Sequence, residues 1–502
     1  MAVDQELAGP RTYGNWIRPR SPGLAGLGTL GTVILFVGAI VAIFCFMAGQ
    51  FTAGLIVLAA TAVLVGLGAW RDKHGMSVLE RTAERTAWWR RRGAKHSAYR
   101  SGVVSRHPWG TCQLPGILAK TNLVETGDAT KARFAIIEAP AQATYTVVLG
   151  CAPDGTQLVD SQDVDRMVAA WGQFLAVLTG EPGIAAVSVT VESVPDTGLK
   201  LRARIENEIA PGAAPFAADV MRQVAATRPL GASRLQAFVA ITWNAATRKG
   251  GRKRAAAEMA KELASRVPAL VTSLETTGAG VVHCCTAQEL CEMVRVAYDP
   301  AVGTLMEEAA MTGQTPIIRW SDAGPVAATE RWDSYQHDSG ISTTWMMTGA
   351  PRGLVQSGVL AALLAPHPAI WRKRVTLLYR PIDPALAAVL VEADRRDAEF
   401  AATATVRPSA RDLTRVTAAR ATATEEAGGA GLVNFGLLAT ATWRPGDEPR
   451  DVVAAMDTLS AMSRIQLRPC YGMQQTAFAV GLPLGMQLEK FLSVSAEIGV
   501  RL

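Results

Sequence analysis

From Ser21 to Trp70 the chain carries no Asp, Glu, Lys or Arg, and an uncharged apolar run of 50 residues is too long for one membrane helix but has room for two spans of about 20 each. The natural division is Leu27 to Ala48, with Val33, Ile34, Leu35, Phe36, Ile40, Ile43 and Phe44, and Phe51 to Trp70, with Leu55, Ile56, Val57, Leu58, Val63 and Leu64. Gly49 and Gln50 make the turn between them. The run starts late, holds two span-length pieces and is followed by a basic block, which argues against a cleaved signal peptide. Gly26-Leu-Gly28-Thr-Leu-Gly31 spells GxGxxG, but that loop cradles pyrophosphate only between a strand and a soluble helix. At the mouth of a membrane helix, small residues that let two spans pack closely explain it better.

Next to the apolar run lies a basic one. Met76 to Arg100 places Leu79, Ala83, Thr86 and Trp89 on one helical face, with Trp88 and Trp89 beside Arg90, Arg91 and Arg92. This suits a helix lying at lipid headgroups, with Trp70, Arg71 and Lys73 at the same interface. A solvated charged helix leading into the soluble part is the plainer alternative.

Beyond a Pro/Gly-punctuated linker (His107-Pro108-Trp109-Gly110, Leu114-Pro115-Gly116), strand and helix periodicities alternate. Strands are expected at Ala143–Cys151, Ala185–Val194, Leu235–Asn244, Val281–Cys285, Ser342–Thr348, Arg374–Tyr379, Leu432–Trp443, Ile465–Cys470 and Thr476–Gly481. Helices are expected at Gln162–Thr179, Lys253–Thr276 (kinked at Pro268), Ala287–Ala297, Leu354–Leu364, within Pro384–Ala402 and Ala410–Gly428, and at Val452–Met462. The fold class that follows is α+β, built from mixed α/β units whose helices lie on one face of mixed sheets, behind a two-helix transmembrane hairpin. The divisions are a cytosolic segment 1–26, the hairpin 27–70, a basic juxtamembrane helix 71–105, and two cytosolic α/β domains, 106–300 and 301–502.

Composition narrows the function. With 49% hydrophobic and 19% charged residues the chain is neither disordered nor collagen-like. Its net charge of +6 suggests nucleic acid until it is mapped: residues 71–100 hold nine basic and three acidic side chains, so the long remainder is close to neutral and has no bulk reason to hold phosphate backbones. No direct nucleic-acid binding is expected. Basic residues flank the apolar run on both sides (Arg11, Arg18, Arg20; Arg71, Lys73, Arg81) while its turn has none, so both termini are expected in the cytoplasm. Seven scattered cysteines form no secreted disulfide framework, in keeping with a reducing compartment.

Catalytic signatures are scarce. There is no GxxxxGK[ST] and no Gly-Lys dipeptide, so the phosphate nest and lysine of P-loop enzymes are absent; GxSxG and HExxH are absent too. His283-Cys284-Cys285 with Cys291 has metal-ligand residue types, but neighbours on a strand point to opposite faces and no CxxC accompanies them, so core cysteines are the better reading. No metal and no cofactor are expected. His337-Asp338-Ser339 has triad residue types in direct succession, where triad geometry can hardly form. Two basic runs are possible partner contacts. Arg252, Lys253 and Arg254 follow a Gly-Gly hinge and suit anionic headgroups, an acidic partner or an ordinary solvated helix start. Arg372, Lys373 and Arg374 precede an apolar strand and suit a partner-contacting edge or a charged guard against edge pairing.

Several of these pieces together resemble a known family. Tyr13-Gly14-Asn15-Trp16, Arg18-Pro19-Arg20-Ser21-Pro22-Gly23, the two spans and Arg71-Asp72-Lys73-His74-Gly75 resemble an actinobacterial family of integral membrane proteins associated with conjugal-transfer, type IV secretion-like ATPases. The likeness continues through Trp332 to Arg352, Pro366-His367-Pro368, Arg372 to Pro381 and Phe478 to Leu484, nearly the whole chain. More distantly, the hairpin is similar to the two-helix membrane subunit of Gram-positive conjugation machines, and the rest to the N-terminal, non-motor domain of the conjugation ATPase. The resemblance implies a structural subunit of the cytoplasmic membrane, oligomeric within a complex, whose partners are lipids, a separate ATPase and other channel subunits. Rival expectations are a type VII secretion membrane component and a membrane-tethered enzyme using His337 or Asp338.

Overall fold

The computed structural model describes residues 12–14, 28–70, 72, 74, 76–102, 112–127, 133–153, 155, 159–227, 233–246, 251–351, 353–404 and 407–488. Helices α1 (Gly28–Met47), α2 (Phe51–Ala69) and α3 (Val78–Gly93) come first, then strand β1 (Ala98–Arg100). Strands β2 (Asn122–Gly127), β3 (Arg133–Ala139) and β4 (Thr144–Ala152) follow, then α4 (Ser161–Gly180), β5 (Ile184–Pro195), the helical pair α5 (Leu199–Glu208) and α6 (Pro215–Thr227), and β6 (Ser233–Asn244). Helix α7 (Ala256–Leu274), β7 (Val281–Cys284) and α8 (Ala287–Tyr298) complete a first half, and α9 (Val302–Met311) leads onward. The second half runs β8 (Ala327–Glu330), β9 (Tyr335–His337), β10 (Gly340–Gly349), α10 (Ala361–Leu364), β11 (Arg372–Pro381), α11 (Pro384–Thr403), α12 (Ala410–Ala427) and β12 (Val433–Trp443). It ends with α13 (Pro449–Met462), β13 (Gln466–Pro469) and α14 (Gln474–Val480).

Helix and antiparallel strand make an α+β fold. Among the described residues the strands join in one thirteen-stranded sheet, in the order β1-β8-β9-β10-β12-β11-β5-β6-β4-β3-β2, with β13 added to β10 and β7 to β4. Strands β2 to β7 form one unbroken block and β8 to β13 the other, with β1 added to the second at β8, and the boundary expected near residue 300 separates blocks that share a sheet. The join is the antiparallel ladder between β5 and β11, from Lys373↔Ser193 to Tyr379↔Val187.

The two blocks are copies of one plan related by a pseudo-two-fold axis at this join. Order and pairing repeat element for element: β4 pairs β3, β6 and β7 as β10 pairs β9, β12 and β13, and a helical pair separates β5 from β6 as another separates β11 from β12. Superposed registers make Thr190 equivalent to Thr376, and these two face each other across the axis, hydroxyl to hydroxyl at 3.2 Å. Side chains repeat as well. Thr146 bonds Thr242 at 3.0 Å where Ser342 bonds Thr442 at 2.7 Å. Trp243 and Trp443 are equivalent buried indoles. Cys285 and Cys470 each donate their amide to the equivalent carbonyl, Val148 or Thr344, at 2.9 Å.

The sheet buries both faces. On one, alternate residues Val147, Leu149, Val239 and Ile241 pack with Phe174 and Leu178 of α4 and Leu263 and Val267 of α7. In the second half Trp345, Val375, Leu437 and Ala439 pack with Leu363 of α10 and Met456 of α13 on the same face. The other face carries the hydroxyl pairs and is covered by α8, α14 and the following segment to Met486. That segment crosses the axis: Gly481 O accepts from Thr376 Oγ1 at 2.7 Å, and Gly485, at φ +70°, lies where a Cβ would stand 2.1 Å from Thr146 Oγ1 and 2.3 Å from Thr242 Oγ1.

Some expectations need correction. Thr476 to Val480 is helical, within α14, with Gly481 as its C-cap, although its Thr, Phe and Val suit a strand; a short apolar run fits either element, and this one sits after β13 has closed the block edge. Among the described residues, one helix is long and apolar enough to cross a membrane, over Phe51–Gly68. The expected pair of spans reduces to this helix and a shorter apolar one, Gly31–Met47, folded back on it through Gly49 at φ +75°. Gly38 abuts the Thr61 side chain and Gly54 the Phe46 ring, and a Cβ on either would overlap its neighbour.

Candidate functional site

The junction between the apolar helices and the sheet is built by α3. Ser77 and Glu80 start it with a reciprocal capping box, Ser77 N donating to Glu80 Oε2 at 2.7 Å and Glu80 N to Ser77 Oγ at 3.2 Å. One face of the helix then docks on the second block. Glu84 accepts from Arg468 of β13 at 2.6 Å, a pair in which the arginine is 6% exposed. One turn on, Trp88 is 5% exposed and meets Trp332 edge-on at 6.2 Å. Trp332 stacks on Tyr471 at 5.5 Å, and Arg468 lies over Tyr471 at 5.3 Å. Gly472, at φ +68°, leaves room for Trp332 and Trp88.

The face expected at the headgroups, with Ala83, Thr86 and Trp89, is exposed; Trp88, expected beside it, is turned the other way. Trp88 is not at a lipid interface: it is a core residue, because Glu84 and Trp88, four apart, turn toward β13 and fix the helix rotation. Arg91 lies over the Trp88 ring at 5.9 Å. Trp70 and Trp89 are exposed, at 73% and 70%, and Arg90 and Arg92 are exposed too. Arg71 and Lys73 lie outside the described residues.

The two basic runs fare differently. Arg252 and Lys253 are exposed, and Arg252 pairs with Glu258 at 2.6 Å. Arg254 is turned inward, ion-paired with Glu262 and donating to Asn244 O at 2.8 Å, so it closes the β6–α7 corner and is withdrawn from partner contact. Arg372, Lys373 and Arg374 are all buried. They begin β11, a central strand at the axis, which excludes the edge reading. Lys373 Nζ donates to Ala365 O, and burial draws its ammonium down to about 8.

Arg372 and Arg374 flank Glu192 of β5. Arg374 sits opposite Glu192 in the ladder; Arg372 Nε reaches Glu192 Oε1 at 3.2 Å and Arg374 Nη2 reaches it at 3.1 Å. Burial opposes ionisation of the carboxyl, but the two guanidiniums outweigh it and hold Glu192 below the ordinary carboxylate range. Two cations share one anion, Arg374 leaves Nε and Nη1 without a partner among the described residues, and its guanidinium lies over the Phe478 ring at 5.3 Å. The equivalent places across the axis are held by Leu378, Ala186 and Ser188, so this charge belongs to one copy of the plan.

Beside the cluster lies His337, fully buried, with Nδ1 on Tyr298 O at 2.6 Å and Nε2 on Ser342 Oγ at 2.8 Å. Desolvation lowers it to about 4, so it is neutral at physiological pH. Its sequence neighbours go elsewhere: Asp338 accepts the amides of Val326 and Ala327 and pairs with Arg295 at 3.3 Å, while Ser339 bonds Asp299. No triad forms from the three.

Near the β7–α8 corner the alternation along β7 sends Cys284 to the helix-covered apolar face and brings His283 and Cys285 to the other side. Glu289 of α8 joins them, with His283 Nε2 3.4 Å from Glu289 Oε1. Cys291, the fourth residue of the expected grouping, is a buried core residue of α8. Glu289 escaped sequence reasoning; its only signal was the spacing His-x-Cys-x3-Glu.

No curated protein matches the chain. Residues 20–80, spanning α1, α2 and the start of α3, match a sequence family described as a domain of unknown function, DUF8461.

Proposed function

We propose that the chain is a scaffold subunit of a conjugation, type IV secretion-like, DNA-transfer apparatus, anchored in the cytoplasmic membrane and seating a separate ATPase on its cytosolic side. In this reading α1 and α2 both enter the bilayer as a hairpin, both termini are cytoplasmic, and the duplicated sheet serves as a docking body without catalysis of its own. The observation that carries it is the combination of an apolar, exposed helix α2 with an α3 docked on the sheet. Phe51, Leu55, Ile56 and Val63 are each more than 60% exposed, apolar area that water penalises and lipid accepts. A helix so anchored would gain little from a flexible tether; here α3 is fastened to β13 by Glu84–Arg468 and to the β8–β9 turn by Trp88–Trp332, so force and orientation pass from the anchor to the sheet. The exposed Trp89, Arg90 and Arg92 then face headgroups.

Affinity purification of the full chain from membranes, solubilised in several detergents, is expected to bring down a conjugation-type ATPase. Failure in every detergent, or recovery of a type VII secretion core in its place, overturns the assignment. Protease added outside intact protoplasts should leave the sheet region uncut; trimming from outside overturns the orientation.

A further inference from the structure

We propose that His283, Cys285 and Glu289 form a zinc site at the corner between β7 and α8, with its fourth position open to solvent.

The donors are one imidazole nitrogen, one thiol sulfur and one carboxylate oxygen, all within 4.8 Å of one another. This mixture of nitrogen, sulfur and oxygen suits Zn²⁺ and disfavours Ca²⁺ or Mg²⁺, which take oxygen alone. The spacing fits too: two ligands each about 2.1 Å from a tetrahedral zinc stand roughly 3.4 Å apart, and His283 Nε2 lies 3.4 Å from Glu289 Oε1.

Each ligand is held from behind. His283 faces Gly150 across the β4–β7 ladder, and a Cβ at that glycine would stand 2.5 Å from His283 Cε1. A glycine inside a strand weakens it unless something needs the space, and here the imidazole uses it. Glu289 keeps its Oε1 toward the site because Oε2 accepts from Thr286 N at 2.8 Å and Thr286 Oγ1 at 3.1 Å, the kind of outer contact that orients a metal carboxylate. Cys285 is fixed by the hydrogen bond its amide donates to Val148 O at 2.9 Å. His283 and Glu289 are exposed and Cys285 is buried, so the ion would sit in the protein boundary with the thiol beneath it and water above it. On binding, the thiol proton passes to solvent.

The second copy of the plan is an internal control. Cys470 repeats Cys285, but Arg468 stands in place of His283 and Gln474 in place of Glu289. Arg468 is committed to Glu84 and Gln474 to the backbone of Thr344. The cysteine alone belongs to the shared frame, whereas the three-ligand set belongs to the first copy.

The test uses the full chain in detergent, purified without a histidine tag and stripped with chelator. Titration with Co²⁺ should give a thiolate-to-metal absorption band that Zn²⁺ abolishes, with one ion per chain. His283→Ala removes an exposed side chain, and Glu289→Gln keeps the capping box that Glu or Gln can form, so both should fold like the parent by circular dichroism. Each should weaken zinc at least about tenfold, the lower end of what even a supporting residue costs. Cys470→Ser should bind as the parent does. The proposal is overturned by a Co²⁺ complex lacking the thiolate band, by parental zinc affinity in His283→Ala, or by loss of the site in a folded Cys470→Ser.

Discussion

Replacing Glu192 by Gln keeps the side chain's size and one carbonyl acceptor and removes only its charge. Arg372 and Arg374 would then be two guanidiniums, 10% and 5% exposed, with no counter-ion. A pair about 4 Å apart at an effective dielectric near 20 is worth about 4 kcal/mol, and removing one partner of a buried ion pair costs about 3–5 kcal/mol. Both routes agree on a loss of about 4 kcal/mol. With a urea m-value of about 3 kcal/mol/M, the unfolding midpoint followed by tryptophan fluorescence should fall by about 1 M or more. The companion variant E192M/R372M/R374L removes all three charges together and should lie near or above the parent, because apolar residues of similar volume replace buried ion pairs at little cost. The other side of the axis, with Leu378, Ala186 and Ser188 in these places, shows that the frame does without them. A Glu192→Gln variant within about 1 kcal/mol of the parent, or a triple variant less stable than the single one, refutes the reasoning.

Two further outcomes can be measured. His337 is neutral when folded and lowered to about 4, whereas an unfolded histidine titrates near 6.5; the stability it contributes is present above pH 6.5 and lost as pH falls toward 4, about 3 kcal/mol in all. His337→Gln should flatten the stability profile between those limits, and an unchanged slope there contradicts the burial argument. Gly485→Ala meets two hydroxyls and a left-handed backbone at once, so it should destabilise by more than about 2 kcal/mol, while Gly446→Ala, at φ +116° but with open space around it, should lose only the backbone part.

What could be read along the chain was local. Strands β4, β5, β6, β10, β11 and β12 and helices α4, α7, α8, α11, α12 and α13 have strong period-2 or helical patterns, and these emerge within a few residues, whereas the helix expected over Leu354–Leu364 shrinks to a 3-10 turn at Ser357–Leu360 and the four residues of α10. Strands β2, β3, β8 and β9 and helices α5 and α6 were invisible, because short outer strands and mostly exposed helices carry weak periodicity. Arg372 and Arg374 read as surface because charged residues seldom lie fully inside, and their counter-ion is 180 residues away in sequence from Arg372. Trp88 read as a lipid contact because Trp332 and Gly472 become its neighbours only after the sheet forms. The repeat itself escaped notice, since the copies share geometry and hydroxyl placement far more than residue identity.

Fusing two copies of one plan into a single polypeptide alters how the join responds to dilution. Two separate subunits meeting along β5 and β11 would come apart as their concentration fell; a covalent pair holds its seam at any expression level. The seam can then carry features that suit only one side, such as a lone carboxylate between two guanidiniums, which a self-matching homodimer would have had to bear twice.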